Sequence, residues 1–376
     1  MPPKAVALPL VLFIIILIAA LSMGYLSRSD LELACGRNMV LRMQMDSLAE
    51  SGLEHARGLI LRPQDALGAY WTGSARLQLV PESNDYYDVN VSQSGECNYQ
   101  IVSTAYRLES GETVGRAGLE AELRLDPCIA YWQGNSAEIP VQASVTGDVF
   151  CGGKLLVAGI VDGDVFAVRS IDVSGSVSGQ KRAFVDAAPV ASAGLSLIRF
   201  ESHYHIEDNL CQVGVVDTEV LFDGVTLQPA AANPAGVYYR DGTLHLKGHV
   251  EIYGMLVVRH DLILEDGGDV TIRAVKNFPA LLVGQGVKME GNGRHLRIEG
   301  LAQIGHGIDM GNGVGNTIEI IGALCMEGGA VENTTGGTLR LVAAPNKAAI
   351  QLWPEAGVPV RWSPAAGAFF KSIKRH

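Results

Sequence analysis

The chain has 376 residues, 48% of them hydrophobic, which suffices for the cores of two domains and excludes a disordered polymer. Its formal net charge is −11, from 40 acidic and 29 basic residues, and its one basic cluster is the terminal KSIKRH. Nucleic acid is not an expected partner, because neutralising phosphates requires a basic stripe.

Residues 5–26, AVALPLVLFIIILIAALSMGYL, carry no charge and read as a membrane-spanning helix whose partner is lipid. A cleaved signal peptide is the competing reading, but its apolar core is normally about half this length. Lys4 precedes the span and Arg28 follows it. The expected orientation places the N-terminus inside and most of the chain beyond a cytoplasmic (inner) membrane, in the periplasm or at the cell surface.

Helical spacing continues from Ser27 to Leu61. Leu41, Met45, Leu48, Gly52, Ala56 and Leu59 step by four and three and form the expected packing face, while Arg42, Asp46, Glu50, Glu54 and Arg57 fall on other faces. Arg62-Pro63 should end the helix, since proline disfavours helical geometry in the residue before it. Residues 1–62 are thus expected to contain one helix, roughly 87 Å long at 1.5 Å per residue. An anchor followed by a separate surface helix is the alternative.

Residues 63–128 follow with four alternating segments at 75–80, 85–93, 98–108 and 113–125, separated by PESND, SGEC and ESGE turns. A long amphipathic helix followed by antiparallel strands predicts an α+β unit with the meander packed on the helix. The run LSRSDLELACGRNMVLRMQMDSLAESGLEHARGLI, followed by YDVNV, NYQIVSTAYRL and GRAGLEAELRL, resembles type IV pilin-like proteins of the PilX minor-pilin kind over residues 5–126. In that resemblance AESGLEHA marks the extracellular half of the helix and the tyrosine-isoleucine-serine strand is the centre of the sheet. It implies a subunit that packs its helix among other pilin-like subunits, or copies of itself, in a pilus-like or pseudopilus-like assembly. The family's glycine before the apolar run and glutamate five residues into it are absent from MPPKAVALPLVL, so prepilin-peptidase cleavage does not carry over.

Beyond residue 137 the sequence changes character, with many of its 44 glycines punctuating short β-branched runs. GDVF occurs at 147–150 and again at 163–166, and VTGDVFCGGKLLVAGI aligns with VDGDVFAVRSIDVSGS. A fixed period whose units cannot bury their own apolar faces predicts stacking of successive turns, here a right-handed parallel β-helix over 138–345. Twelve further short strands are expected between 243 and 342. Residues 180–235 break the period and read as an insertion with a short helix near 191–200, and 346–376 read as a coil-rich tail. The first repeats are similar to the bactofilin type of polymerising β-helix.

The whole is therefore expected to be a membrane-anchored pilin-like module carrying a β-helix, a non-enzymatic structural, assembly or adhesion component of a cell envelope. A surface polysaccharide is a further candidate partner. An anchored carbohydrate-active enzyme and a bactofilin-like scaffold are the alternatives. The acids available to an enzyme are Asp162 with Asp164, and Asp261, Glu265, Asp266 and Asp269, and all sit in turn-like contexts. His203 with His205, and His245 with His249, share strand faces but have no third ligand near them in sequence, so no metal or cofactor is expected. Among six cysteines, Cys97 before the third strand and Cys128 after the fourth are brought together by antiparallel pairing and are the expected disulfide. Cys151 and Cys325 lie in apolar strands and read as buried thiols, and Cys35 as a helix-packing residue.

Overall fold

The computed structural model describes residues 7–61, 72–95, 97–275, 277–355 and 358–375. One unbroken helix, α1 (Ala7–Leu61), opens the chain, and Arg62 and Pro63 lie outside the described residues. Four strands follow as an antiparallel meander: β1 (Gly73–Leu77), β2 (Asp85–Gly95), β3 (Asn98–Glu109) and β4 (Glu112–Leu125). Their alternation sends Tyr87, Val89, Tyr99, Ile101, Ala117, Leu119 and Leu123 to one face, where the second half of α1 covers them.

The sheet has a fifth strand. The C-terminal segment Ala368–Arg375 runs antiparallel to β4, with Ala368 opposite Leu125 and Arg375 opposite Leu119. The expected coil-rich tail is thus a set of regular elements: a helical turn at Pro345–Ala348, a hairpin of Ile350–Glu355 with Val358–Trp362, and this strand. Proline in VPVRW suggested coil, but a hairpin edge tolerates proline, and Trp353 and Trp362 are buried beneath it.

Residues 129–343 form parallel ladders. In the GDVF repeats Val149 pairs with Val165, and Val165 with Lys181, while Ser144 pairs with Ile160, and Ile160 with Ser176. A third ladder joins Leu155 to Ile171. The spacing is 16 residues in this part, as in the Asp148–Asp164 contact, and widens to 22 between His295 and Thr317. Val157, Val161 and Val165, one from each ladder, belong to a single apolar core.

Spatial order departs from chain order. The segment Ile129–Gln133 lies between Asp148–Cys151 on one side and the last residues of Asn316–Met326 on the other. Ala143–Thr146 likewise sits between Ile160–Asp162 and Gly337–Ala343. The chain therefore enters the stack in its interior, builds outward to residue 183, crosses to the far end, and returns from 214 to 343. The expected insertion 180–235 is correspondingly shorter. Lys181–Ala183, Gly214–Val215, Val220–Leu221 and Val225–Leu227 are all ladder strands. Their two- and three-residue lengths hid them among polar neighbours.

The true excursion, 184–213, lies along one side of the stack. It contributes Val190, Leu195 and Phe200 to a second core with Phe150, Phe166, Met255 and Val257. Only Leu197–Phe200 is helical, as a single 3-10 turn inside the expected 191–200 helix. Glycine and serine around it supply no side-chain cap.

Candidate functional site

The first functional element is the bare half of α1. Residues 10–40 are exposed on every side, and the apolar stretch is long and uncharged enough to cross a membrane by length and composition. Residues 7–40 extend roughly 50 Å at 1.5 Å per residue, whereas a hydrocarbon core is about 30 Å thick. A spanning helix would therefore project beyond the lipid before it meets its own sheet. In that projecting part Leu31, Leu33, Met39 and Val40 are exposed beside the Arg28–Glu32 pair, whose atoms are 3.1 Å apart.

The second half of α1 is fastened by small residues. Met45, Leu48, Gly52 and Ala56 face the sheet, together with Ala49, Leu53 and Ile60, and Leu41 packs at the margin. Leu59 is only half-buried: continuing at 3.6 residues per turn from Ala56 brings Ile60 under the stripe instead. Gly52 lies directly on β3. A Cβ built there would stand 2.2 Å from Ser103 Oγ and 3.0 Å from Tyr87 Cδ2. Ser103 is fully buried, and its hydroxyl has no hydrogen-bond partner among the described residues. The AESGLEHA stretch thus has a steric role: its alanine and glycine let the helix backbone approach the central strand. His55 Nδ1 meets the Tyr87 hydroxyl at 3.1 Å on the flank of the same contact.

The acids of the parallel region are occupied in holding neighbouring passes of chain together. Asp162 Oδ1 accepts the Ser178 hydroxyl at 2.6 Å, and Asp164 Oδ1 accepts the Gln180 backbone N–H at 2.8 Å. Asp261 accepts Gly286 N–H at 3.0 Å and pairs with Lys288 Nζ at 2.7 Å. Glu265 contacts His245 Nδ1 and pairs with Lys247 Nζ at 2.7 Å, and Asp269 meets His249 Nδ1 at 3.3 Å. Lys247 and His245 together hold Glu265 below the usual carboxylate range. The Asp266 side chain lies outside the described residues.

Asp148 is the acid that the sequence reading passed over. It is buried, and its two oxygens accept Cys128 N–H at 2.7 Å and Asp164 N–H at 2.8 Å. Burial pushes its carboxyl up despite these hydrogen bonds. The signal lay in the repeat itself, since the first GDVF carries the same aspartate as the second. The preceding Gly147 has φ +124°, and a Cβ there would come within 2.5 Å of Ala343 Cβ.

The two histidine pairs do not converge. His203 and His205 pack edge to face with centroids 5.8 Å apart, and His245 and His249 each face separate carboxylates. Among the described residues no group of three or more metal-ligating side chains occurs. Cys97 and Cys128 are joined in a disulfide with Cα atoms 6.2 Å apart. Cys151 and Cys325 are buried free thiols, and burial pushes Cys325 up to about 12, leaving it un-ionised at neutral pH. Cys35 is exposed on the projecting part of α1, where no packing partner meets it among the described residues.

No family model matches the chain, and no curated protein does. Solved structures that align with it include two at low similarity. The competence-associated pilin ComZ from Thermus thermophilus shares 10% identity at a TM-score of 0.24, over 81% of this chain and 88% of that one. An ice-binding protein from the Antarctic ascomycete Antarctomyces psychrotrophicus shares 15% identity at a TM-score of 0.28, over 58% of this chain and 98% of that one. Alignments at these scores carry no weight for fold or function.

Proposed function

We propose that the protein is a non-enzymatic structural component of a cell envelope: a pilin-like module, anchored by its N-terminal helix, that displays a right-handed parallel β-helix. The observation that carries this reading is the division of α1. One half is bare, and uncharged as far as Ser27, and the other is sunk into an antiparallel sheet through alanine and glycine. A helix of this kind has one end for lipid or neighbouring helices and one end for its own domain.

The three ladders, with their shared core, are read as the faces of a closed coil whose stiffness suits display or adhesion. The acids that a carbohydrate-active enzyme would need are engaged in ladder contacts, which favours the structural reading over that alternative. The partners proposed for the projecting helix are other pilin-like subunits or copies of this chain, at the inner membrane with the bulk on its outer side.

Membrane fractionation with mass spectrometry of the mature N-terminus tests the anchor. An intact 1–26 segment in the membrane fraction is expected. A mature chain beginning near residue 25 would defeat it.

A further inference from the structure

We infer that the two ends of the parallel stack are complementary, and that a second copy of this chain docks there head to tail. At one end the strands Ile171–Val173, Ser176–Val177 and Lys181–Ala183 are paired on one side only. At the other, Gly214–Val215, Val220–Leu221 and Val225–Leu227 are paired on one side only. Free strand edges carry unmade backbone hydrogen bonds and are templates for another chain, and stacked-repeat domains ordinarily cover them with polar caps. Here the core itself reaches both ends. Val161, the neighbour of Val177 in its column, is fully buried, whereas Val177 and Leu227 at the ends of that column are half-exposed.

Two of the three strands at each end match in register; the third ladders, Ile171–Val173 to Ala137–Ile139 and Val220–Leu221 to Val331–Glu332, are not joined by strand pairing among the described residues. Following paired residues through the stack, the column that finishes in Val177 begins at Leu227, and the column that finishes in Lys181 begins at Gly214. All pairings along both columns are parallel. A copy displaced along the stack therefore continues these ladders in the same direction, which a copy turned end for end cannot do.

Charge selects the same arrangement. Lys181 and Arg182 outweigh Asp172, which pairs with Lys154, so that the first end is net basic, and Asp217, Glu219 and Asp223 make the second acidic. Joining like ends would bring like charges together. Lys181 occupies an inward position, which by itself closes an edge to an apolar strand. Its counterpart in the next copy is Gly214, which has no side chain to obstruct it. Such a contact is heterologous and does not close on itself, so it propagates as an open polar row.

Cross-linking of the full-length protein in detergent, in a Cys35→Ser background, tests this. Ser176→Cys and Thr226→Cys lie at opposite ends of one column and are both exposed. Under copper-phenanthroline oxidation, an equimolar mixture of the two single variants is expected to give a 176–226 linked dimer, and the double variant a ladder of higher multimers. Reversing Lys181 and Arg182 to glutamate should reduce the yield at least five-fold, and Asp217→Lys with Glu219→Lys in the other partner should restore it. A dimer from Ser176→Cys alone or from Thr226→Cys alone would overturn the polar arrangement. Absence of any cross-link in the mixture would overturn the docking itself. Nothing in this contact requires the long helix, so a failed cross-link leaves the reading of residues 7–125 untouched.

Discussion

Substituting Gly52 probes how closely the helix must approach its sheet. An alanine Cβ at this position would lie 2.2 Å from Ser103 Oγ and 3.3 Å from Ser103 Cβ. Overpacking of this kind costs about 1–3 kcal/mol, while replacing glycine by alanine inside a helix returns about 1 kcal/mol. Gly52→Ala alone should therefore destabilise by about 0–2 kcal/mol. The clash is mainly with the hydroxyl oxygen, so Ser103→Ala removes it together with a buried polar group that has no partner. In that background Gly52→Ala should be neutral or stabilising by up to about 1 kcal/mol. The assay is a double-mutant cycle on the full chain in detergent, with urea unfolding followed by circular dichroism. A coupling of about 1–2 kcal/mol is expected, and one below about 0.5 kcal/mol would refute close approach as the reason for Gly52.

The Cys97–Cys128 bridge closes a sequence separation of 31, for which chain entropy gives about 3–4 kcal/mol. Reductant should lower the unfolding midpoint of the antiparallel module accordingly, and an unchanged midpoint would contradict this. Asp148→Ala strands two backbone donors and should cost about 2–4 kcal/mol, against less than about 1 kcal/mol for Asp162→Ala at its exposed Ser178 contact. Equal urea midpoints for the two variants would count against the buried role. The pH response has a definite sign. Glu265 is held low by Lys247 and His245, and Glu299, which burial pushes up, is brought low by Lys347 and Arg297. Their contribution is complete above the unfolded value of about 4.3 and is lost as pH falls through the lower folded values. Asp148, raised by burial, acts with the opposite sign from about 3.9 upward. Lys247→Met should flatten the loss between pH 5 and 3 (roughly the carboxylate window), and an unaltered urea-midpoint slope would exclude the pair as a contributor.

The helix and meander were legible because their periods are long and regular. The stripe from Leu41 to Ala56 repeats at helical spacing, and Tyr99, Ile101 and Ser103 alternate at strand spacing. The 16-residue repeat likewise showed which residues stack, because identical neighbours such as Phe150 and Phe166 must fit the same ladder. Spatial order was not legible. Nothing local in Ile129–Gln133 says that its two neighbours will be residues 148–151 and 324–326. The strand pairing of Ala368–Arg375 with β4 was equally hidden, since its outward residues are exposed and the segment has no strong alternation of its own. Asp148 was missed because aspartate after glycine reads as turn chemistry, and only the fold shows that this copy is enclosed.

The closing strand also decides how a pull on the molecule would be borne. Residues 126–367 are strung between two adjacent strands of the first sheet, leaving at Leu125 and returning at Ala368, which face each other. Tension between the helix and the stack would enter both strands at the same end and along their length. The bonds of β4 to β3 would be loaded in shear, all at once, and not peeled one by one. The disulfide from Cys97, one residue before β3, to Cys128, just past β4, stitches the third strand into this neck. The junction is therefore built as a tether, and the stack should unravel before it tears away from its stalk.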